Sequence, residues 1–448
     1  MRQNKYMEEY KNKLVSPEDA ARVVRSGDWV DYGPNLGFPQ LLDAALAGRK
    51  DELYDVKIRS HLINGPIECV EQDLRREHFT YNSWHMVSYE RKLCDRGLCS
   101  FTPMMYRNLP GYYRRFLTVN VAMMAVTPMD EFGYFCFSTN NACARAVMDK
   151  ADYIILEVNE HLPVVRGIDE VIHISEVDAV VEGAHRELME FPASIPDDVD
   201  LNIAKSIVSR MSDRSVIQLG VGKMPDAIGK VIAEDSDLKD LGIHSELLVN
   251  SYLDMYKAGK ITNKYKSIFP NKSTFGLVYG SRELRDWATD NPSMYTCPMD
   301  FINSVDVVSN IRNFVSINSA VSVDLFGQIS SESAGFRQIS GTGGQLDFVT
   351  GAYDNPSGQS YIALKSAFID RKGVKHSNIK PFFSGDIISV PRSQSYMIVT
   401  EYGLANMAGR TVWERAESLI EIADPDFREE LIKSANDQNI WRRSNKIL

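Results

Sequence analysis

Three short stretches hold residue types and spacings that could do chemistry: a carboxylate at Glu246 in LGIHSE, a glycine turn in QLGVGKM, and the glycine-rich run SGTGGQLDF. Glycine segments let an anion or a ligand carbonyl approach backbone N–H groups closely. In SVIQLGVGKMPDAIGK an apolar strand runs into Gly220 and Gly222, and a helix is predicted to begin near Pro225 or Asp226. Glu246 follows LGIHS and precedes a helical pattern with Leu253, Met255 and Tyr256. A carboxylate at a strand's end can point into the crevice where open α/β sheets bind ligands. Strand alternation sends His244 to the same face, or to an ordinary hydrogen bond.

The third stretch, SESAGFRQISGTGGQLDFVTGAY, carries glycines at 341, 343 and 344, an amide at Gln345 and a carboxylate at Asp347. It is not expected to form an ordinary helix. Before it, FVSINSAVSVDLFGQI reads as two strands with Asn318 near a turn. Each motif also has a plain structural reading: a surface carboxylate, a tight strand-to-helix turn, a crossover loop. GVGKMP lacks the full GxGxxG of a dinucleotide-binding turn, which weighs against a nicotinamide enzyme.

The elements that would position these residues repeat. SPEDAARVVRSGDWVDYG predicts a helix capped by Ser16, with Pro17 in its first turn and Gly27 as its stop, followed by a strand. The loop PNLGFP and the helix QLLDAALAG come next. Near residue 200 the order recurs: helix DLNIAKSIVSRM, strand SVIQLG, glycine turn, helix PDAIGKVIA. Between the two lies EFPASIPDDVD, proline-broken and acidic, which suits a linker. The expected domains are 1–195 and 196–448. The apolar runs VNVAMMAV, YIILEV, FVSIN, YIAL and YMIVTEYG alternate with helical patterns, which predicts an α/β fold of largely parallel sheets flanked by helices. TVWERAESLIEIADPDFREELIKSA should form two helices broken at Asp424 and Pro425, a structural covering layer.

At 448 residues the chain exceeds one ordinary core, and 44% hydrophobic with 25% charged residues is globular composition. A net charge of −10 argues against nucleic acid or anionic membrane as a partner. The opening MRQNKYMEEYKNK lacks a signal peptide's apolar core, and no later apolar run reaches the roughly 18 residues that span a bilayer. A cytoplasmic protein is therefore expected. The six cysteines have no CxxC pairing and read as reduced thiols; Cys94 and Cys99 lack partners that would complete a metal site.

In this order the motifs resemble the acetyl-CoA hydrolase/transferase family of class I coenzyme A transferases, its butyryl-CoA:acetate branch in particular. The resemblance takes in SGDWVDYG, NSWHM at 82–86, EVNEHLP from Glu157, QLGVGKMPDA, LGIHSE, SGTGGQLDF, VTEYG from Val399, ADPDFREEL and the terminal IWRRSN. It implies two tandem α/β halves with the active site between them, and Glu246 as a nucleophile that carries CoA as a glutamyl thioester. It further implies a CoA and oxyanion site from Gly220, Val221, Gly222, Lys223 and Met224, with Asn318, Gly343, Gly344 and Gln345 lining the CoA side. Trp84, His85 and Glu157 would lie near the acyl side, and Lys223, Lys365, Lys380 and Arg392 are candidate phosphate contacts. No permanently bound cofactor and no metal is implied; a coenzyme A thioester is substrate. The expected partners are acyl-CoA, a short-chain carboxylate and further copies of the chain in a homo-oligomer. The same residues leave room for 4-hydroxybutyrate CoA transfer, acyl-CoA hydrolysis, or a CoA-binding sensor without catalysis. Many relatives follow the glutamate with Ser-Asp-Gly, where this chain has Leu247 to Ser251, and carry a small or apolar residue where it has Lys223.

Overall fold

The computed structural model describes residues 2–441, with side chains from residue 6. The last four residues of IWRRSN lie outside them. The chain forms two compact units. The first holds the chain up to Phe191 together with Thr274–Ile302 and Gln338–Gly343; the second holds Pro192–Ser273, Asn303–Arg337 and the chain from Gly344 onward.

The first unit is built on a parallel sheet of seven strands. They are β1 (Trp29–Tyr32), β2 (Val56–Ser60), β3 (Phe79–Ser83), β4 (Cys99–Phe101), β5 (Val119–Val126), β6 (Ala151–Val158) and β7 (Ala179–Glu182). Their order is β4-β3-β2-β1-β5-β6-β7, with every pairing parallel. VNVAMMAV is apolar almost without alternation because its strand is central and buried nearly throughout. Ser16 caps the helix Pro17–Ala21, accepting the Asp19 N–H at 3.1 Å. That helix stops at Ala21, and Gly27, at φ +90°, serves the turn into β1 rather than ending the helix. QLLDAALA forms the helix Gln40–Ala47, whose Leu42 and Leu46 join Val30, Ile58, Val121 and Ile155 of the strands in one core.

The second unit repeats the plan. The helix Asp198–Val208 is capped by Asp197, and β8 (Val216–Leu219) leads into the helix Lys223–Asp235. Then come β9 (Gly242–Leu248), β10 (Phe314–Ser319), β11 (Gln359–Ala363), β12 (Met397–Thr400) and β13 (Gly403–Asn406). These strands follow the order β9-β8-β10-β11-β12-β13, parallel up to β12, with β13 turning back antiparallel. In each unit the first strand lies between the next strand in sequence on one side and a later strand on the other: β1 between β2 and β5, β8 between β9 and β10. That reversal is the switch point where open α/β sheets take ligands, beyond the carboxyl ends of the strands.

One expectation is corrected here. The glycine-rich run does not stay loop throughout: Gly341 to Gly344 do, but Gln345–Asp354 is an α-helix. Once the glycines end, QLDFVTGAY has enough helix-forming side chains to bury Phe348, Val349 and Ala352 on one face. The C-terminal stretch folds into helices Val412–Glu421 and Arg428–Asp437, separated at Asp424 and Pro425 as expected. Leu419, Ile420 and Leu431 of these helices close a core over Ile362 and Ile398.

Candidate functional site

Glu246 does not follow its strand but lies within it, because LGIHSELL stays extended as far as Leu248. Alternation along β9 puts His244 and Glu246 on one face. His244 is fully buried, its ring 6.2 Å from that of Phe314. Glu246 is partly buried, and its carboxylate is held from two sides. Asn303 Nδ2 donates to Glu246 Oε2 at 2.8 Å, and the Gly344 amide donates to the same carboxylate. Asn303 Nδ2 also reaches Asp347 Oδ2 at 3.3 Å. Asn303 and Asp347 are both fully buried.

Burial pushes the Glu246 carboxyl up to about 8, since a desolvated carboxylate is costly. The negative charge of Asp347 raises it further, while the Asn303 and Gly344 hydrogen bonds pull the other way. The result is a poised carboxylate: more basic than a surface glutamate, yet with donors that stabilise its charged form. Gly344 has to be glycine for this arrangement. A Cβ there would overlap both Asn303 Nδ2 and Glu246 Oε2.

The strand register gathers the other predicted residues. Val216 pairs with Gly242 and Ile217 with Ile243, so three further steps set Gly220 level with Glu246. Leu219 pairs with Ile317 on the other side, so the next step sets Gly220 level with Asn318. Ser245 Oγ ties β9 to β8 at this height by donating to the Leu219 carbonyl at 3.1 Å. Glu246, Gly220 and Asn318 thus share one level at the carboxyl ends of three neighbouring strands, across the switch point.

Asn318 is engaged there with Gln218. Gln218 Nε2 donates to Asn318 Oδ1 at 3.2 Å, and Asn318 Nδ2 donates to Gln218 Oε1 at 3.0 Å. After Gly220 the chain passes through exposed Val221 to Gly222 at φ +118°, and the helix begins at Lys223, two residues earlier than the sequence predicted. Pro225 does not delay it, because first-turn N–H groups have no intrahelical acceptor to lose. Lys223 is exposed and Met224 buried. Nothing would meet a Cβ at Gly220 or Gly222 within 4 Å, so the backbone at this helix start faces open space. First-turn N–H groups, which have no intrahelical acceptor, suit an oxyanion or phosphate. Gln345 Nε2 donates to the Ser319 carbonyl at 3.2 Å, fastening the Gly344 helix start to the end of β10.

Other candidates have partners of their own. Lys365 pairs with Asp197 and, at 3.3 Å, with Asp200; Lys380 pairs with Asp386 at 2.7 Å; Arg392 lies 5.9 Å over the Phe326 ring. In the first unit, Gly343 adopts φ +56° and its carbonyl accepts the Tyr106 N–H at 3.2 Å. Trp84 is buried, and His85 Nε2 lies 3.3 Å from Ser340 Oγ. Glu157 Oε2 accepts the Leu41 and Leu42 N–H groups at 3.0 and 3.2 Å, so this carboxylate serves the start of the helix Gln40–Ala47. Asn303 had no signal in the sequence: FINSVD has no glycine, no charge at that position and no repeat to single it out. Among the described residues no group of three or more His, Cys, Asp or Glu is placed to hold a metal ion, and no helix is long and apolar enough to cross a membrane. All six cysteines are free thiols.

Comparison with known proteins adds a family to this geometry. Residues 1–189 match the acetyl-CoA hydrolase/transferase N-terminal domain, and residues 280–435 match the C-terminal domain. The chain is 47% identical over 445 residues to the butyryl-CoA:acetate CoA-transferase of Anaerostipes caccae, covering 98% of this chain and 100% of that one. It is 46% identical over 446 residues to the probable butyrate:acetyl-CoA coenzyme A-transferase of Syntrophomonas wolfei, covering 99% of each. The crystal structure of RipA from Yersinia pestis matches the fold with a TM-score of 0.89 at 32% identity, over 97% of this chain and 99% of that one. With both family domains matched in order and relatives of nearly half-identical sequence along the whole length, the chain belongs to the acetyl-CoA hydrolase/transferase family.

Proposed function

We propose that the protein transfers coenzyme A between a short-chain acyl-CoA, butyryl-CoA or propionyl-CoA, and acetate, with Glu246 as the carrier. The observation that carries this reading is the held carboxylate: one oxygen of Glu246 engaged by Asn303, at the level of the open glycine turn. The names of the Anaerostipes and Syntrophomonas relatives support the substrate class.

The chemistry then follows from where the donors lie. Glu246 Oε1 attacks the acyl carbonyl; the C–O bond forms, the C–S bond breaks, and CoA thiolate leaves with the electron pair. The thiolate attacks the glutamyl carbonyl carbon, placing negative charge on Oε2, where Asn303 Nδ2 can receive it. Collapse expels the first acid as a carboxylate and leaves glutamyl-CoA. Acetate reverses both steps and departs as acetyl-CoA, so the kinetics are ping-pong. No net proton or electron is exchanged. The N–H groups around Gly220 and Gly222, with Lys223, Met224 and Gln345, would line the CoA side.

Intact-protein mass after mixing with butyryl-CoA tests this. Wild type should gain a CoA-sized adduct that acetate discharges as acetyl-CoA, and Glu246→Ala should gain none. Exchange that survives in Glu246→Ala would reassign the nucleophile. Release of CoA in the absence of any acid, at the rate seen with acetate, would make the protein a hydrolase.

A further inference from the structure

We propose that Asp347 is a positioning residue for this reaction, acting through Asn303: it fixes which end of the Asn303 amide faces Glu246. The inference rests on the reading of Glu246 as the carrier.

An asparagine amide can present either its NH2 or its carbonyl oxygen to a neighbour, and the two differ by a half-turn about one bond. Only the NH2 stabilises a carboxylate or an oxyanion. At Asn303 a single nitrogen faces two carboxylates, Glu246 Oε2 at 2.8 Å and Asp347 Oδ2 at 3.3 Å. Each of its two hydrogens has an acceptor. A half-turn would set the partial negative charge of Oδ1 against both acids, beside the fully buried Asp347, where that approach is poorly screened. With Glu246 alone the preference for the NH2 would rest on an oxygen whose charge changes during turnover. In the thioester, Glu246 carries no charge, and Asp347 is then what keeps the nitrogen facing inward. The logic is that of the aspartate which orients a catalytic histidine.

The fold places Asp347 for this task. It sits in the first turn of the helix Gln345–Asp354, where a negative charge is favoured by the helix dipole. The same turn begins at Gly344, whose amide also holds Glu246, so one rigid element carries the direct donor and the residue that orients the other donor. The charge of Asp347 also makes Glu246 harder to ionise. Removing it should therefore have two effects of opposite sense.

Asp347→Asn tests both. The variant keeps the shape but can turn an NH2 toward Asn303, releasing the half-turn. Turnover of butyryl-CoA with acetate should fall about tenfold, a coupling of the size seen in networked side chains, with little change in KM for butyryl-CoA. The acid limb of kcat/KM should move to lower pH, by about half a unit to one unit, because a like charge has been taken from beside Glu246. In an Asn303→Ala background the same change should cost nothing further in turnover. Should Asp347→Asn fail to fold, Asp347→Ser carries the same three readouts. A slower enzyme with an unmoved acid limb, or losses that simply multiply in the double variant, would overturn the proposal and leave Asp347 a fold residue. Retention of the CoA adduct in Glu246→Ala would instead remove the reading on which it rests.

Discussion

A methyl group on Gly344 would have nowhere to go, since it would overlap the Asn303 nitrogen and Glu246 Oε2 together. The backbone there, at φ −105°, suits any residue, so the requirement is one of space alone. Gly344→Ala should therefore fold but push Glu246 away from its donor. With Glu246 as the proposed carrier, a misplacement of about 1 Å there costs on the order of 100-fold in rate. Acyl exchange should drop by about that factor while the far-ultraviolet circular dichroism is unchanged; exchange at the wild-type rate would mean that the close approach is not used. At this scale the sequence is legible where chemistry leaves a mark on residue type. Glu246 and the glycines carry such marks, in their motifs and in the resemblance those motifs support. Asn303 does not, because it stands 57 residues from its partner and becomes visible only when the strand end and the helix start are set side by side. Lys365 and Lys380 are the converse case: their charge suited a phosphate, and nothing in the linear order told that Asp197 and Asp386 would sit against them.

Helices and strands were legible from period and apolar runs, and their ends were not. SVIQL, VNVAMMAV and the two C-terminal helices lie where their patterns placed them, because burial of an apolar face fixes an element's middle. Ends are decided by single contacts: Gly222 starts its helix early, and Leu247 and Leu248 extend β9 past Glu246. The helix Lys223–Asp235 also holds a glycine whose reason is spatial. In an exposed helix, Gly229→Ala would stabilise by about 0.5–1 kcal/mol. Here the new methyl would lie 2.5 Å from Ser251 Cβ in the neighbouring helix Asn250–Lys257, and overpacking of that kind costs about 1–3 kcal/mol. The clash outweighs the gain in helix propensity, so Gly229→Ala should lower the urea midpoint. A raised midpoint would show that the two helices part freely, in which case Glu246, on the strand between them in sequence, is set by the sheet alone.

At the scale of the whole molecule, burial raises several carboxyls above their ordinary range. Glu246 is pushed up to about 8, Glu90 and Glu157 to about 7, and Asp43 to about 6. His61 and His85 are pushed the other way, to about 3 and about 4. The two sets act on stability with opposite sign. Between about pH 4 and 6.5 the unfolded chain binds protons that the buried histidines refuse, so their contribution to stability rises with pH. From about pH 4.5 upward the folded chain keeps carboxyl protons that the unfolded chain has released. Folded protein then binds more protons than unfolded, and stability falls as pH rises until each folded pKa is passed. Above pH 6.5 only the carboxyls remain in play, and the melting temperature should decline toward pH 8. Glu246→Gln isolates one share of that decline, since a neutral amide has no proton to lose. The gap in melting temperature between Glu246→Gln and wild type should widen in the variant's favour from about pH 5 to pH 8, reaching about 2 °C or more, and stay level above. For Glu157→Gln the widening should stop near pH 7. A gap for Glu246→Gln that does not change between pH 5 and 8 would mean that this carboxyl ionises in the folded protein as it does in water, and the poise attributed to burial and to Asp347 would be absent.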